Sequence, residues 1–323
     1  MKATVIIPTK NPGPVFAPVL EMVRAQICPW DYEVLVIDSG SDDGTVELVA
    51  ATDGVRLISI PAEEFGHGKT RNLAIKNSFG EFCALLTHDA MPVDRHWLKN
   101  LVYAVEQDEC IAGAFGRHVA YDSANVFTKR DLKTHFQGFL AHPLVVAKDT
   151  DLARYEHDLG WRQFLHFYSD NNSCLRKSVW RDIPYPDVEF AEDQIWAKNI
   201  IEAGYKKAYA ADAVVYHSHD YRLFERLQRS FDEANAFRVL FGYRLCPTFK
   251  QLLTSAYGLA KRDWDYGRAH GISLQAIARQ VLDQVALVTG HLLGAKAEHM
   301  PNMLKTFLSR DRRLMNQLGG NRK

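Results

Sequence analysis

Residues 3–9 read ATVIIPT and residues 32–39 read YEVLVIDS. Both are short apolar runs that end on hydroxyls or a carboxylate: Thr9 in the first, Asp38 and Ser39 in the second. Between them lies PVFAPVLEMVRAQ (residues 14–26), apolar at helical spacing. Strands that are apolar throughout are buried on both faces, and their alternation with helices predicts a parallel sheet with right-handed crossovers. The pattern continues outward through GTVELVAAT (44–52), VRLISIP (55–61), RNLAIKNSF (71–79) and EFCALLTHDA (81–90). The first hundred residues therefore predict an α/β nucleotide-binding fold. Ligands in such sheets sit beyond the carboxyl ends of the strands, which singles out Thr9 and Lys10, Asp38 and Ser39, residues 63–67, and His88 with Asp89.

Past residue 110 the periodicity weakens. Residues 111–170 predict loops, an irregular strand near AFGRHVAY (114–121) and a flexible stretch near HPLVVAKDTDLARYE (142–156). Order returns with NNSCLRKSVWRDIPYP (171–186), a helix over EDQIWAKNIIEA (192–203) closed by Gly204, and a strand over DAVVYHSH (212–219). After Tyr221 the chain reads as helices, and Leu274, Ile277, Val281, Val285, Val288 and Leu292 recur at three- and four-residue steps as an amphipathic stripe. The expected organisation is a catalytic domain over residues 1–221, with halves at 1–110 and 111–221, followed by a helical region over 222–323.

The chain has 323 residues, 47% apolar and 24% charged, which suits a globular protein with a sizeable core. Its five cysteines are odd in number and never spaced as C-x-x-C, so neither a disulfide framework nor a zinc knuckle is suggested. No apolar run reaches the ~18 residues of a spanning helix, and the expected location is the cytoplasm. The zero net charge hides an asymmetry: residues 222–323 hold 17 Lys and Arg against 8 Asp and Glu, a net of +9, leaving −9 on residues 1–221. A basic tail on an acidic body points either to an anionic partner such as a membrane surface or to a solvated face paired with the body.

GHGKT (residues 66–70) imitates a phosphate loop, but that motif needs a glycine five residues before the Gly-Lys pair, and Glu63 stands there. Lys69 and Arg71 instead precede a helix, where a guanidinium can grip a phosphate or brace a base-binding loop. Asp89, at the end of a buried strand, suits a hard cation shared with phosphate oxygens, or caps the turn before Pro92. His217 and His219 lie two residues apart on one strand face and could complete a metal site with Asp89 or stay structural. Asp193, beside Glu192 at a helix start, could serve as a general base or only as a cap; the helix dipole would hold its pKa low.

Taken together, VIIPTKN, VIDSGSDDGT, HGKTRN, LLTHDAMP, NNSCLRKSVW, AEDQIW and VYHSH occur in an order and spacing that resembles family 2 glycosyltransferases of the GT-A fold, over residues 1 to about 221. Within that family, the DSGS-x-DGT, HG-x-TRN and LT-x-DA-x-P segments look like bacterial rhamnosyltransferases of surface-polysaccharide assembly. The resemblance implies a Rossmann-like, mostly parallel sheet flanked by helices, with a C-terminal helical extension. It implies that Pro8, Thr9, Asp38, Ser39, His67, Lys69, Arg71, Asn72, His88 and Asp89 bind the nucleotide-sugar, with Arg71 weighing more than Lys69. It also implies that Asp89 and His217 hold Mg²⁺ or Mn²⁺, although Thr87 replaces the first aspartate of the family's D-x-D. Asp193 would be the catalytic base, with Glu192, Trp196, His219, Asn171 and Asn172 as acceptor-side residues. The implied reaction is an inverting transfer of L-rhamnose from dTDP-L-rhamnose to a glycan or polyprenyl-pyrophosphate-linked acceptor, on the inner face of the cytoplasmic membrane, with no nucleic-acid partner. Rival readings are a UDP-hexose or UDP-aminosugar transferase of the same family and a catalytically silent nucleotide-binding scaffold. A sugar-nucleotide pyrophosphorylase is disfavoured because PTKNPGP lacks the Gly-rich loop such enzymes carry after strand one.

Overall fold

A computed structural model describes residues 1–188 and 190–311, and divides the chain into two compact units, Met1–Ser218 and His219–Lys323. The last twelve residues of the basic tail lie outside the described residues.

The first unit opens as the periodicity dictates: β1 (Ala3–Thr9), α1 (Phe16–Arg24), β2 (Tyr32–Asp38), α2 (Thr45–Ala50), β3 (Val55–Ser59), α3 (His67–Asn77), β4 (Phe82–Leu86), β5 (Met91–Pro92) and α4 (Trp97–Glu106). β1 pairs in parallel with β2 on one side and β4 on the other, and β2 with β3. The register sets Thr9 beside Asp38, so the polar strand ends line up along one edge. Side chains alternate between faces. Ala3, Val5 and Ile7 pack against Phe16, Val19 and Val23 of α1 and Trp97 and Leu101 of α4. Ile6 faces the opposite way, into a second core with Ala74 and Ile75 of α3.

The stretch expected to be irregular is well ordered. It contains β6 (Ile111–Val119), α5 (Val126–Gly138), β7 (Val145–Val146), α6 (Leu152–His157) and α7 (Leu159–His166). Its helices are short and bury few, mostly aromatic residues, so no apolar period builds up. Phe115, Phe136, Phe139, Phe167 and Tyr209 form instead a cluster of edge-on and stacked rings. The unit ends with β8 (Asn172–Arg176), α8 (Lys177–Asp182), α9 (Glu192–Glu202) and β9 (Lys206–Tyr216).

The sheet runs β3-β2-β1-β4-β8-β6-β9-β5, with β7 on β9. It is mixed rather than parallel throughout, because β8 runs antiparallel to both β4 and β6. That reversal matters for the site: Leu86, at the carboxyl end of β4, pairs with Asn172, at the start of β8. The residues just before β8 therefore arrive at the same edge as those just after β4.

The second unit holds α10 (Leu223–Leu240), α11 (Phe249–Ala269), α12 (Leu274–Ala295) and α13 (Asn302–Leu308). α12 comes close to α10 because Gly290 and Gly294 present no side chains. A Cβ at Gly290 would meet the Leu227 carbonyl oxygen at 2.5 Å, and one at Gly294 would run into that of Phe231. Ile277 and Val288 are buried, so part of the predicted α12 stripe is core. No helix among the described residues is long and apolar enough to cross a membrane.

Candidate active site

The β1 and β2 ends are stitched to each other. Asp38 is fully buried and accepts four hydrogen bonds: from the Gly40 and Ser41 amides on Oδ1, and from the Thr9 and Ser41 hydroxyls on Oδ2. Ser39 donates to the Thr9 carbonyl, and Asn11 accepts from the Asp42 amide. A carboxylate has about four acceptor positions, and Asp38 uses them to organise the loop. Thr9, also buried, donates to it, so the two expected nucleotide ligands are tied to each other at the strand ends. Pro8 stays partly exposed beside them.

Asp89 follows β4 and is partly exposed, with Oδ1 3.7 Å from His217 Nε2. Tyr121 ties the two segments together: its hydroxyl donates to the Asp89 carbonyl, its amide donates to Ser218 Oγ, and its ring stacks on Tyr216. His118, which the sequence reading passed over, is buried on β6 with its ring edge-on to His217 at 5.3 Å. Burial, and then the neighbouring His217 and His135, push the His118 pKa well down, so it stays neutral. One ligand atom each from Asp89, His217 and His219 lies within 4.8 Å of the others. This donor set fits a divalent ion. Two imidazoles with one carboxylate favour Mn²⁺ over Mg²⁺, which prefers oxygen alone. Thr87 Oγ1, at the first position of the imperfect D-x-D, is buried without a hydrogen-bond partner. His88 is partly exposed in the same turn.

A second cluster gathers around α9. Asp193, in its first turn, accepts from the Asp170 amide on Oδ2 and the Gln194 amide on Oδ1. Asp170, also missed in the sequence, is 2% exposed and accepts from Ser173 Oγ and Tyr185 OH. Arg71 is 7% exposed and lies between the acids, its Nε 3.1 Å from Asp170 Oδ2 and its Nη1 2.6 Å from Glu192 Oε1. Arg71, expected at the nucleotide, is thus braced on two buried carboxylates through Nε and Nη1. Ala191, just ahead of Glu192, sits in the left-handed region at φ 56°, a conformation costing about 1–3 kcal/mol that accumulates at functional sites.

The electrostatics also reverse an expectation. Asp193 was expected to be held low by the helix dipole. Burial, followed by the charges of Glu192 and Asp170, instead pushes its pKa well above the ordinary carboxylate range, and Arg71 offsets only part of this. Asp170 rises to about 6, chiefly through burial, with Arg71 again opposing. A raised pKa makes Asp193 a stronger base than a solvated aspartate once it is ionised.

Several other expected ligands bond within the scaffold. Asn72 accepts from Trp180 Nε1 and the Tyr185 amide and donates to the Tyr185 carbonyl, clasping α3 to the 180–186 segment. Asn172 is fully buried, accepting from Trp97 Nε1 and donating to the Arg117 and Ala213 carbonyls. Trp196 is fully buried, donating to the Ile183 carbonyl and packing on Tyr168 and Tyr185. These three brace the scaffold: Asn72, expected on the nucleotide side, and Asn172 and Trp196, expected on the acceptor side. Asn171 and His67 are partly exposed and Lys69 is exposed; His67 Nδ1 stands 4.0 Å from Glu192 Oε1.

Gly68 of the false phosphate loop has a packing reason, since a Cβ there would run into the Pro186 carbonyl oxygen. Gly68→Ala is expected to destabilise the protein by roughly 1–3 kcal/mol as overpacking. The check is chemical denaturation; an unchanged midpoint would show that α3 can move away freely.

Residues 4–183 match the model of "Glycosyl transferase family 2". The chain is 36% identical over 236 residues to the O-antigen chain rhamnosyltransferase RfbN of Salmonella typhimurium, covering 72% of this chain and 71% of that protein. It is 32% identical to the O-antigen chain rhamnosyltransferase WbaN of Salmonella anatum, covering 62% of this chain and 61% of that one. Among solved structures, the mannosyltransferase PcManGT from Pyrobaculum calidifontis, in complex with GDP-Man and Mn²⁺, superposes with a TM-score of 0.60 at 19% identity, covering 92% of this chain and 88% of that one. The likeness in fold runs beyond the matched segment, and the match itself spans more than half of the chain. The chain belongs to glycosyl transferase family 2.

Proposed function

We propose that this glycosyltransferase moves L-rhamnose, with inversion, from dTDP-L-rhamnose to a glycan hydroxyl in O-antigen-type polysaccharide synthesis. The observation that carries the chemistry is the pairing of two clusters on one sheet edge: Asp89 with His217 after β4 and β9, and Asp193 held by Asp170 just before β8. The donor sugar rests on the likeness to RfbN and WbaN.

In this reading Asp193 takes the proton from the acceptor hydroxyl as its oxygen bonds to the anomeric carbon. The bond from that carbon to the diphosphate oxygen breaks on the opposite side. The Asp170 and Gln194 amides fix both Asp193 oxygens, so the base is oriented before the acceptor arrives. Arg71 pairs with Glu192 and Asp170 and holds both in place beside it. Asp89 and His217 would hold a divalent ion, which when bound neutralises charge on the departing diphosphate. The acceptor in this reading is lipid-linked, and the basic C-terminal region supplies a peripheral contact with the inner membrane surface.

A donor screen tests the assignment. Purified protein should be stabilised against heat more by dTDP-L-rhamnose than by UDP-glucose or UDP-N-acetylglucosamine, and the opposite order would sink the donor assignment. EDTA should remove transfer and Mn²⁺ restore it. His217→Ala should raise the Mn²⁺ concentration needed by roughly tenfold or more, by analogy with losses seen around metal sites. Full activity in EDTA would remove the metal from the proposal.

A further inference from the structure

The second unit leaves an apolar line uncovered. On α11, Phe249, Leu253, Tyr257 and Trp264 are 63%, 54%, 71% and 50% exposed. Their spacing of four, four and seven residues places all four within one stripe of an α-helix, about 22 Å long at the usual rise. Asp263 and Gly267 are buried along the adjoining edge of the helix, where Asp263 accepts from Gln284 of α12. One edge of the stripe is therefore set by packing within the unit, and its rings reach outward from that seam. Lys250, Lys261 and Arg268 are exposed along the same flank of the stripe. Lys261 shares an i,i+4 pair with Asp265, the one exposed acid of the helix.

We propose that α11 is the face by which this protein lies on an anionic lipid bilayer. A row of three aromatics and a leucine edged by cations is what an interfacial helix requires. The rings enter the boundary between headgroups and chains, and long basic side chains reach the phosphates. Charge selects this occupant over a neutral apolar partner: residues 222–323 carry a net of +9, and each Lys or Arg near an anionic surface strengthens attraction to it. The α12 stripe suggested by the sequence cannot take this role as a whole, because Ile277 and Val288 are inside. The inference rests on the lipid-linked-acceptor reading only for its purpose, not for its evidence.

The test is co-sedimentation of the full chain with phosphatidylcholine vesicles, with and without phosphatidylglycerol. The wild type should bind the phosphatidylglycerol vesicles, and binding should weaken in high salt. The triple variant Phe249→Ser, Tyr257→Ser, Trp264→Ser should lose at least tenfold, and Lys250→Glu with Arg268→Glu should lose binding to the anionic vesicles. Trp264→Phe should remove a blue shift in tryptophan emission seen on vesicle addition. Equal binding by wild type and triple variant overturns the proposal. So does a wild type that is dimeric by light scattering while the triple variant is monomeric, which would assign the stripe to a second copy. Thermal stabilisation by dTDP is measured on both proteins. Its retention in the triple variant shows that the fold is intact, and its absence from both would fault the donor reading without touching the vesicle result.

Discussion

Asp193→Asn should reduce sugar transfer by roughly 10²–10⁴-fold, the range a positioned general base supplies, while leaving dTDP binding within a factor of two or so. The asparagine keeps the shape and can still accept, through its single oxygen, from one of the Asp170 and Gln194 amides that hold the aspartate. It loses the lone pair basic enough to receive the acceptor proton. Single-turnover rates with dTDP-rhamnose, beside dTDP-induced melting shifts, separate the two effects. Unchanged transfer would remove Asp193 from the chemistry and make Glu192 the next carboxylate to test, although Glu192 is committed to Arg71. Loss of nucleotide binding in parallel would mean that the site had collapsed. Retained transfer with full nucleotide binding would be as damaging as collapse, because it would place the proton elsewhere.

Arg71→Met is the second large effect. The guanidinium is the cation that separates Asp170, Glu192 and Asp193, and removing one partner of a buried ion pair costs about 3–5 kcal/mol. For a unit of this size that is a fall in Tm of roughly 10 °C, measurable by calorimetry. The pH dependence distinguishes a positioning role from a merely structural one. Arg71 opposes the upward shift of the Asp193 pKa, whereas Asp170 contributes to it. Removing the cation should move the acid limb of the transfer rate to higher pH. Asp170→Asn should move it to lower pH, since it removes a neighbouring negative charge. The other groups set against Asp193 are Glu192, with His67 at its edge, and none of these changes in either variant. Shifts in the same direction in both variants would refute the charge argument.

The stability sign follows from the same groups. Asp170 keeps its proton up to about pH 6 in the folded chain, but only to about 3.9 when unfolded. The folded state therefore binds more protons across that window, and the contribution of Asp170 to stability is largest below it and declines as pH rises through about 6. The site holds carboxylates that weaken the fold at neutral pH. A general base of raised pKa requires such an arrangement.

How much of this was legible beforehand depends on the range of the interaction. The βα alternation from Ala3 to Leu86, the Glu192–Glu202 helix and the His217 strand end were readable because a buried strand or a one-sided helix writes its period into consecutive residues. Asp89, Asp193 and His217 could be nominated because each sits at the end of such an element. Residues 111–166 could not be resolved, since short helices packed through scattered aromatic rings leave no period to count.

Local sequence therefore determined the class of fold, the family resemblance and the edge of the sheet where chemistry belongs. Tertiary structure alone decided the partners. It set Arg71 against Glu192, 121 residues away, and filled every acceptor of Asp38. It turned Gly68 toward the Pro186 carbonyl, and buried Ile277 and Val288 of the α12 stripe while leaving Phe249, Tyr257 and Trp264 of α11 exposed. The physical reason is the same in each case. A backbone period depends on neighbours a few residues apart, whereas a charge, a hydrogen-bond acceptor or an apolar face takes its role from whatever the fold brings within a few ångströms of it.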